Sequence, residues 1–169
     1  DARTGEQKWM YNNNPNGGGS FNSESLAVAC GKVFATTKNN CCPPTYPAGT
    51  LYAIDAQTGA FLWKRDDPTG FLFTPPVVES NVVYCGGYVD GAQCLMALNA
   101  DDGSLIRAYA GALSHFNGPA LARGVLFSAG TSLSSYGLVS AFTASNGALK
   151  WSRMQNLYID STPAFWNNR

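Results

Sequence analysis

Histidine is almost missing from this chain. His115 is its single copy, so neither a multi-histidine metal site nor a histidine-paired nucleophile cluster can be assembled. An excess of charge of one sign is missing too. Eleven Lys and Arg stand against eleven Asp and Glu, a formal net charge of zero, and no basic run exists to meet a phosphate backbone. Nucleic acid is therefore not expected as a partner. Long apolar runs are absent: residues 26–30 and 124–127 are strand-sized, far short of the roughly 20 residues of a membrane-crossing helix, so no membrane span is expected. Nowhere do apolar positions recur at the 3.6-residue interval that would argue for a helix of consequence. No Asn-x-Ser/Thr acceptor occurs, which leaves N-glycosylation silent on location. The sequence opens on Asp1 without a charged region followed by an apolar stretch, the pattern expected of a processed, excised or partial chain.

Apolar residues are ample. They make up 45% of 169 positions, enough for a core and unlike a disordered composition. Five cysteines, two of them adjacent, are ordinary in an oxidising compartment and unusual outside one, so the expected location is extracellular or periplasmic.

The organising feature is a repeat. Residues 53–63, Ala-Ile-Asp-Ala-Gln-Thr-Gly-Ala-Phe-Leu-Trp, are echoed by residues 97–107 and 141–151, and residues 1–9 follow the same plan with the front removed. The turn residues Gly59, Gly103 and Gly147 are 44 positions apart, and Gly5 precedes Gly59 by 54. A period of this size marks a propeller or solenoid. Between the turns, short apolar strands alternate with Asp-Gly and Asn-Gly, strong short hairpin signals.

Taken in order, residues 1–11 give a turn at Thr4-Gly5 and a terminal strand from Glu6 to Tyr11, with Trp9 and Tyr11 on one face. Residues 12–22, rich in Asn and Gly, read as an enlarged connection. Three four-stranded antiparallel units follow, at about residues 23–65, 74–109 and 117–153, and residues 161–169 open another at its first strand. A ring needs about four or more blades, and three would leave both end sheets bare. The chain is thus expected to be part of one longer propeller domain, or a protomer completing a ring with other chains. The former is preferred, because the two end strands cannot rebuild the middle of a blade.

The repeat resembles the pyrroloquinoline-quinone (PQQ) dehydrogenase family and its non-enzymatic relatives, whose blades end in Ala-x-Asp-x-x-Thr-Gly-x-x-x-Trp. Ala53, Asp55, Thr58, Gly59 and Trp63 match at every position. Thr4, Gly5 and Trp9, and Ala141, Gly147 and Trp151, match in part. Gly103 keeps the turn of the second unit, but Asn99 replaces the Asp and Arg107 the Trp, so that blade should pack less tightly or be closed by another residue such as Tyr109. The resemblance implies an all-β, PQQ-like β-propeller segment in which Gly allows the turn and Trp wedges onto the neighbouring blade.

The same resemblance frames the candidates for chemistry. Related alcohol dehydrogenases carry a disulfide between adjacent cysteines near the quinone, which makes Cys41-Cys42 a candidate cofactor contact. A vicinal bridge must span Cα atoms about 3.8 Å apart, which strains it, and the loop position of this pair departs from the family's, so local stabilisation is the favoured role. Cys85 and Cys94, ending and beginning paired strands, are expected to bridge, leaving Cys30 unpaired. Related enzymes also hold Ca²⁺ with carboxylates and an amide oxygen, a suitable hard set. Here Asp55, Asp101 and Asp102 fall in hairpin turns, where Asp satisfies backbone donors. Asp66, Asp67, Glu79, Asp90 and Asp160 fall in loops or turns, and Asp160 is the least implausible ligand or base. His115 is read as a solvated loop residue on a connection between blades, and Trp166 as a turn residue with a possible surface role.

Two functional classes remain. The preferred one is a non-catalytic extracytoplasmic propeller, a structural or protein-interaction module with no evident cofactor and with other blades or chains as partners. The alternative is a segment of a PQQ- and calcium-dependent dehydrogenase acting on an alcohol or sugar.

Overall fold

The structure is a computed structural model that describes residues 1, 3–12, 20–38, 49–67, 73–110, 113–132, 136–159 and 161–164. Among them thirteen strands and no helix are formed. The first sheet has the order β1 (Ser20–Ala29), β2 (Lys32–Lys38), β3 (Gly49–Asp55) and β4 (Phe61–Asp67). The second runs β5 (Val77–Glu79), β6 (Val82–Val89), β7 (Ala92–Asn99) and β8 (Leu105–Ala110). The third runs β10 (Ala120–Ala122), β11 (Val125–Ser132), β12 (Gly137–Thr143) and β13 (Leu149–Gln155), with β9 (Leu113–Phe116) also on the free edge of β11. Every pairing is antiparallel. The sheets follow one another as blades of an open, partial propeller, β1 against β5 and β5 against β10.

Two-residue turns join the first strand of each sheet to the second. At Ser80-Asn81, as at Asp90-Gly91 between β6 and β7, both turn residues have positive φ, the primed geometry that matches strand twist. The expected loop around Asp90-Gly91 is thus a tight turn, and β6 and β7 extend to it from both sides. The inner strand of the third sheet is broken where Gly118-Pro119 interrupts β9 and β10, since proline has no amide to give to the ladder. Asn117 N still donates to Ala129 O across 3.1 Å. In the second sheet Thr74 precedes Pro75-Pro76 and bridges the break twice, donating from its amide to Gly86 O at 3.1 Å and accepting the Gly86 amide on its hydroxyl at 2.7 Å.

The core lies between sheets. Phe34, Leu51 and Trp63 of the first sheet interdigitate with Val83, Met96 and Leu98 of the second. Tyr84, Leu95 and Tyr109 of the second meet Leu126 and Phe142 of the third. Alternate residues of β7 therefore serve opposite interfaces, which is why residues 94–98 read as an unbroken apolar run rather than an alternation.

Three expectations are corrected. Residues 5–12 form no strand, because side-chain alternation alone does not make one and the wider context decides. Residues 161–164 likewise carry no ladder. Ser20, Phe21 and Asn22, expected in the connection, belong to β1 and pair towards Lys38 and Thr37 through an irregularity before Leu26.

Candidate functional site

The feature that repeats in three dimensions is the turn between the third and fourth strands, together with the side chain that lands on it. Each turn shares one closing backbone bond. Gly5 N donates to Asp1 O at 2.8 Å, Gly59 N to Asp55 O at 2.9 Å, Gly103 N to Asn99 O at 2.8 Å and Gly147 N to Thr143 O at 2.8 Å. The Asx residue then caps the open amides: Asp55 Oδ1 accepts from Gln57 N, Thr58 N and the Thr58 hydroxyl. Asp1 Oδ1 accepts from Arg3 N and Thr4 N, and Asn99 Oδ1 accepts from Asp101 N. An aspartate at this position is thus a turn-former, and Asn serves at 99 because its carbonyl offers the same acceptor.

A second bond ties each turn to the first hairpin of its own sheet. Ala56 N donates to Gly31 O, Ala100 N to Asn81 O and Ala144 N to Gly124 O, all at 2.9–3.0 Å. The carbonyls of these same alanines face outward and receive the neighbouring sheet. Trp9 Nε1 donates to Ala56 O at 3.1 Å, and Trp63 Nε1 to Ala100 O at 3.0 Å. The indole lies over the turn glycine: a Cβ at Gly59 would stand 2.7 Å from the Trp9 ring, and one at Gly103 2.8 Å from the Trp63 ring. Glycine is required at 103 twice over, by its φ of +72° and by this approach. Ala53, buried on β3, lies directly across the ladder from Trp63.

The third joint is built differently. Arg107 stands where the Trp would be, and its Cδ lies 2.8 Å from the Cβ position of Gly147. The carbonyl is taken by Tyr109, whose hydroxyl donates to Ala144 O at 2.5 Å. Tyr109 is 2% exposed and packs edge-on against Phe142, and burial pushes its phenol up to about 12. In the second joint Trp63 takes the carbonyl while Arg65 donates to Gly103 O at 3.3 Å. Two residues along the strand, aromatic and arginine have exchanged places. Trp151 occupies the same register position on β13, across from Ala141, and is 39% exposed.

The carboxylates are drawn into the same scaffold. Thr58 holds the Asp55 carboxyl below its ordinary value, first by its amide and then by its hydroxyl. Lys32 does so for Asp101 across the sheet boundary, through a 2.8 Å ion pair, with Asn81 donating to the other oxygen at 2.7 Å. Ser104 lowers Asp102. Asp66 accepts from Thr50 and pairs with Lys64. Glu79 and Asp90 are exposed at a strand end and a turn, while Asp67 is buried at the end of β4. Among the described residues no group of three or more His, Cys, Asp or Glu side chains could hold a metal ion.

The expected Cys85–Cys94 bridge is not formed, and both thiols are free. Cys85 lies across from Met96 and Cys94 across from Gly87, so the two are diagonal on one face. Diagonal partners stand about 7–8 Å apart, beyond the reach of a disulfide. Burial pushes the Cys85 thiol up to about 12 and that of Cys94 up to about 11. Cys30 is a free, exposed thiol in the first hairpin turn. His115 lies on β9, across from Thr131, rather than in a connection. Cys41-Cys42, Asp160 and Trp166 fall outside the described residues. Sequence reasoning missed the outward alanine carbonyl, although Ala2, Ala56, Ala100 and Ala144 recur in the second position of every turn.

Comparison with known proteins agrees with this architecture. A family model described as outer membrane protein assembly factor BamB, of the PQQ-repeat type, matches residues 1–153. No curated protein sequence matches the chain. Among solved structures, the computationally designed Ika4 protein superposes with a TM-score of 0.62 at 19% identity, over 85% of this chain and 79% of that one. The designed Ika8 protein gives 0.62 at 17% identity, over 85% of this chain and 40% of its own. Quinohemoprotein alcohol dehydrogenase from Comamonas testosteroni gives 0.56 at 19% identity, over 77% of this chain and 20% of its own. At these identities the likeness is one of fold, and the chain spans less than half of the Ika8 protein and of the dehydrogenase. With a repeated blade joint and a family match over residues 1–153, the chain belongs to the PQQ-repeat β-propeller family.

Proposed function

We propose that the chain is part of a non-catalytic, extracytoplasmic propeller that serves as a structural or protein-interaction module, its ring completed by further blades or by other chains. The observation that carries this reading is the use of the repeat's polar side chains. Asp1, Asp55 and Asn99 cap turns, Asp101 clasps two sheets, and Trp9, Trp63 and Tyr109 seal carbonyls at sheet boundaries. Residues already bound to the scaffold are not available as base or ligand. The dehydrogenase named among the similar folds supplies the competing possibility, a quinone-dependent oxidation of an alcohol or sugar.

The test is to add PQQ and Ca²⁺ to the protein and follow quinone binding and dye-linked alcohol oxidation. Neither tight binding nor turnover is expected. Tight binding accompanied by turnover would overturn the reading. An extracytoplasmic location is supported by a family model described as an outer membrane assembly factor, and fractionation of the native host tests it.

A further inference from the structure

Two free thiols and a thioether meet on one face of the second sheet. Cys85 on β6 lies across the ladder from Met96 on β7, and Gly87 lies across from Cys94. These four positions are the corners of one square on the face packed against the first sheet, and the three with side chains all carry sulfur. The glycine corner is filled from the opposite one. A Cβ at Gly87 would collide with Met96 Cε and stand 3.2 Å from the Phe73 ring. Met96 therefore reaches along one diagonal of the square, while Cys85 and Cys94 stand at the two ends of the other. Packing alone does not call for sulfur here. At the boundary between the second and third sheets the same register holds Ser128 across from Ser140, with Leu138 in the place of Cys94.

We propose that Cys85, Cys94 and Met96 form a site for a soft monovalent cation, Cu(I), held by two thiolates and the thioether. Thiolate and thioether sulfur select soft ions. A structural zinc site takes four ligands, and the cluster around these three residues holds no further Cys, His or carboxylate, whereas Cu(I) is satisfied by two or three sulfurs. The spacing that prevents a disulfide suits an ion. Diagonal partners stand about 7–8 Å apart, and their Cβ atoms somewhat closer, too far for sulfur to bond sulfur, but an ion between them adds a metal–sulfur bond of about 2.3 Å on each side. Binding releases both thiol protons to solvent and changes no oxidation state, so the occupied site carries a single negative charge. Burial opposes that charge and raises both thiols, while the Arg65 guanidinium acts on both in favour of the thiolate. Cys85 and Met96 are fully buried and Cys94 is 4% exposed. Cys94 also lies nearest the Asp90-Gly91 turn, so local opening of that hairpin end gives the ion its way in.

Anaerobic titration with Cu(I) against a colorimetric Cu(I) chelator tests it, on a chain in which Cys30→Ser, Cys41→Ser and Cys42→Ser remove the other thiols. One Cu(I) per chain is expected, with a near-ultraviolet sulfur-to-copper charge-transfer band and no displacement by equimolar Zn²⁺. Cys85→Ala or Cys94→Ala in that background should weaken binding by more than the roughly 10–100-fold that loss of a supporting residue costs a metal site. Met96→Leu, which conserves volume, should weaken it by less and leave one Cu(I) bound. A second measurement needs no substitution. In the wild-type chain at a urea concentration that opens the core, excess Cu(I) should slow iodoacetamide modification of Cys85 and Cys94, read by peptide mapping. A folded triple-serine chain that takes up no Cu(I) overturns the proposal. So does binding untouched by Cys85→Ala and Cys94→Ala, displacement of the copper by Zn²⁺, or equal modification of the two thiols with and without copper.

Discussion

Glycine 103 shows how one residue can be fixed by two independent demands. Its φ of +72° disfavours any side chain, and the Trp63 ring occupies the space a Cβ would need. Gly5 has the same φ and open space, so the two positions separate conformation from contact. Gly5→Ala should cost about 1–2 kcal/mol, the penalty of a left-handed residue. Gly103→Ala should cost clearly more, because the indole must move as well. Urea denaturation of the two variants measures the difference, and equal losses would show that the indole contact adds nothing. Cysteine reactivity makes a second prediction at this scale. With Cys85 and Cys94 buried and their thiols pushed up to about 12 and about 11, neither forms appreciable thiolate at neutral pH. Of the three free thiols among the described residues, Cys30 should take iodoacetamide first, and peptide mapping should find Cys85 and Cys94 modified only on unfolding. The sequence placed Cys85 and Cys94 on paired strands but could not set their register, and a shift of one pair turns neighbours into diagonals.

At the scale of the element, the turn and its wedge act as a unit. Tyr109 illustrates how a joint survives loss of its Trp. Arg107 covers Gly147 with its methylenes while the phenol two residues on takes the Ala144 carbonyl. Tyr109→Phe leaves that carbonyl without its hydroxyl and should destabilise by about 1–3 kcal/mol, read as a lower urea midpoint. The exchange was partly legible, since an aromatic two positions from a missing Trp is visible in the sequence, but the compensating arginine was not. The turn carboxylates add a pH dependence. Asp55 and Asp102 are held below the ordinary value of 3.8 by hydrogen bonds within their folded turns, and Asp101 by Lys32 of the neighbouring sheet and then Asn81. A lowered folded value means that these groups stabilise the fold above the ordinary carboxylate range and lose that contribution as pH falls through their folded values. Thermal unfolding should therefore shift downward as pH drops below about 4. Asp55→Asn, which keeps the acceptor without the charge, should flatten the decline.

For the whole molecule, order is carried by sheet boundaries. The period was legible because every turn carries its glycine, 44 residues apart from Gly59 to Gly147, and three of the four carry an Asx cap, at Asp1, Asp55 and Asn99. What was not legible depends on neighbours. Residues 6–11 have strand-like alternation, but hydrogen bonding to a ladder decides whether a strand forms. Residues 94–98 hide their alternation because the middle sheet is buried on both faces. The candidate site was legible as a motif and illegible as a role until the Ala100 and Ala144 carbonyls were seen to face the adjoining sheet. The claim that follows is mechanical: the Trp of the repeat matters where it meets a turn. Trp63 is 8% exposed and seated on Ala100 O, whereas its counterpart Trp151 is exposed. Chemical denaturation of Trp63→Ala and Trp151→Ala, at a concentration where the chain is monomeric, tests this most directly. A loss of about 3–5 kcal/mol is predicted at 63 and no more than about 0.5 kcal/mol at 151; equal losses at the two positions would contradict the account.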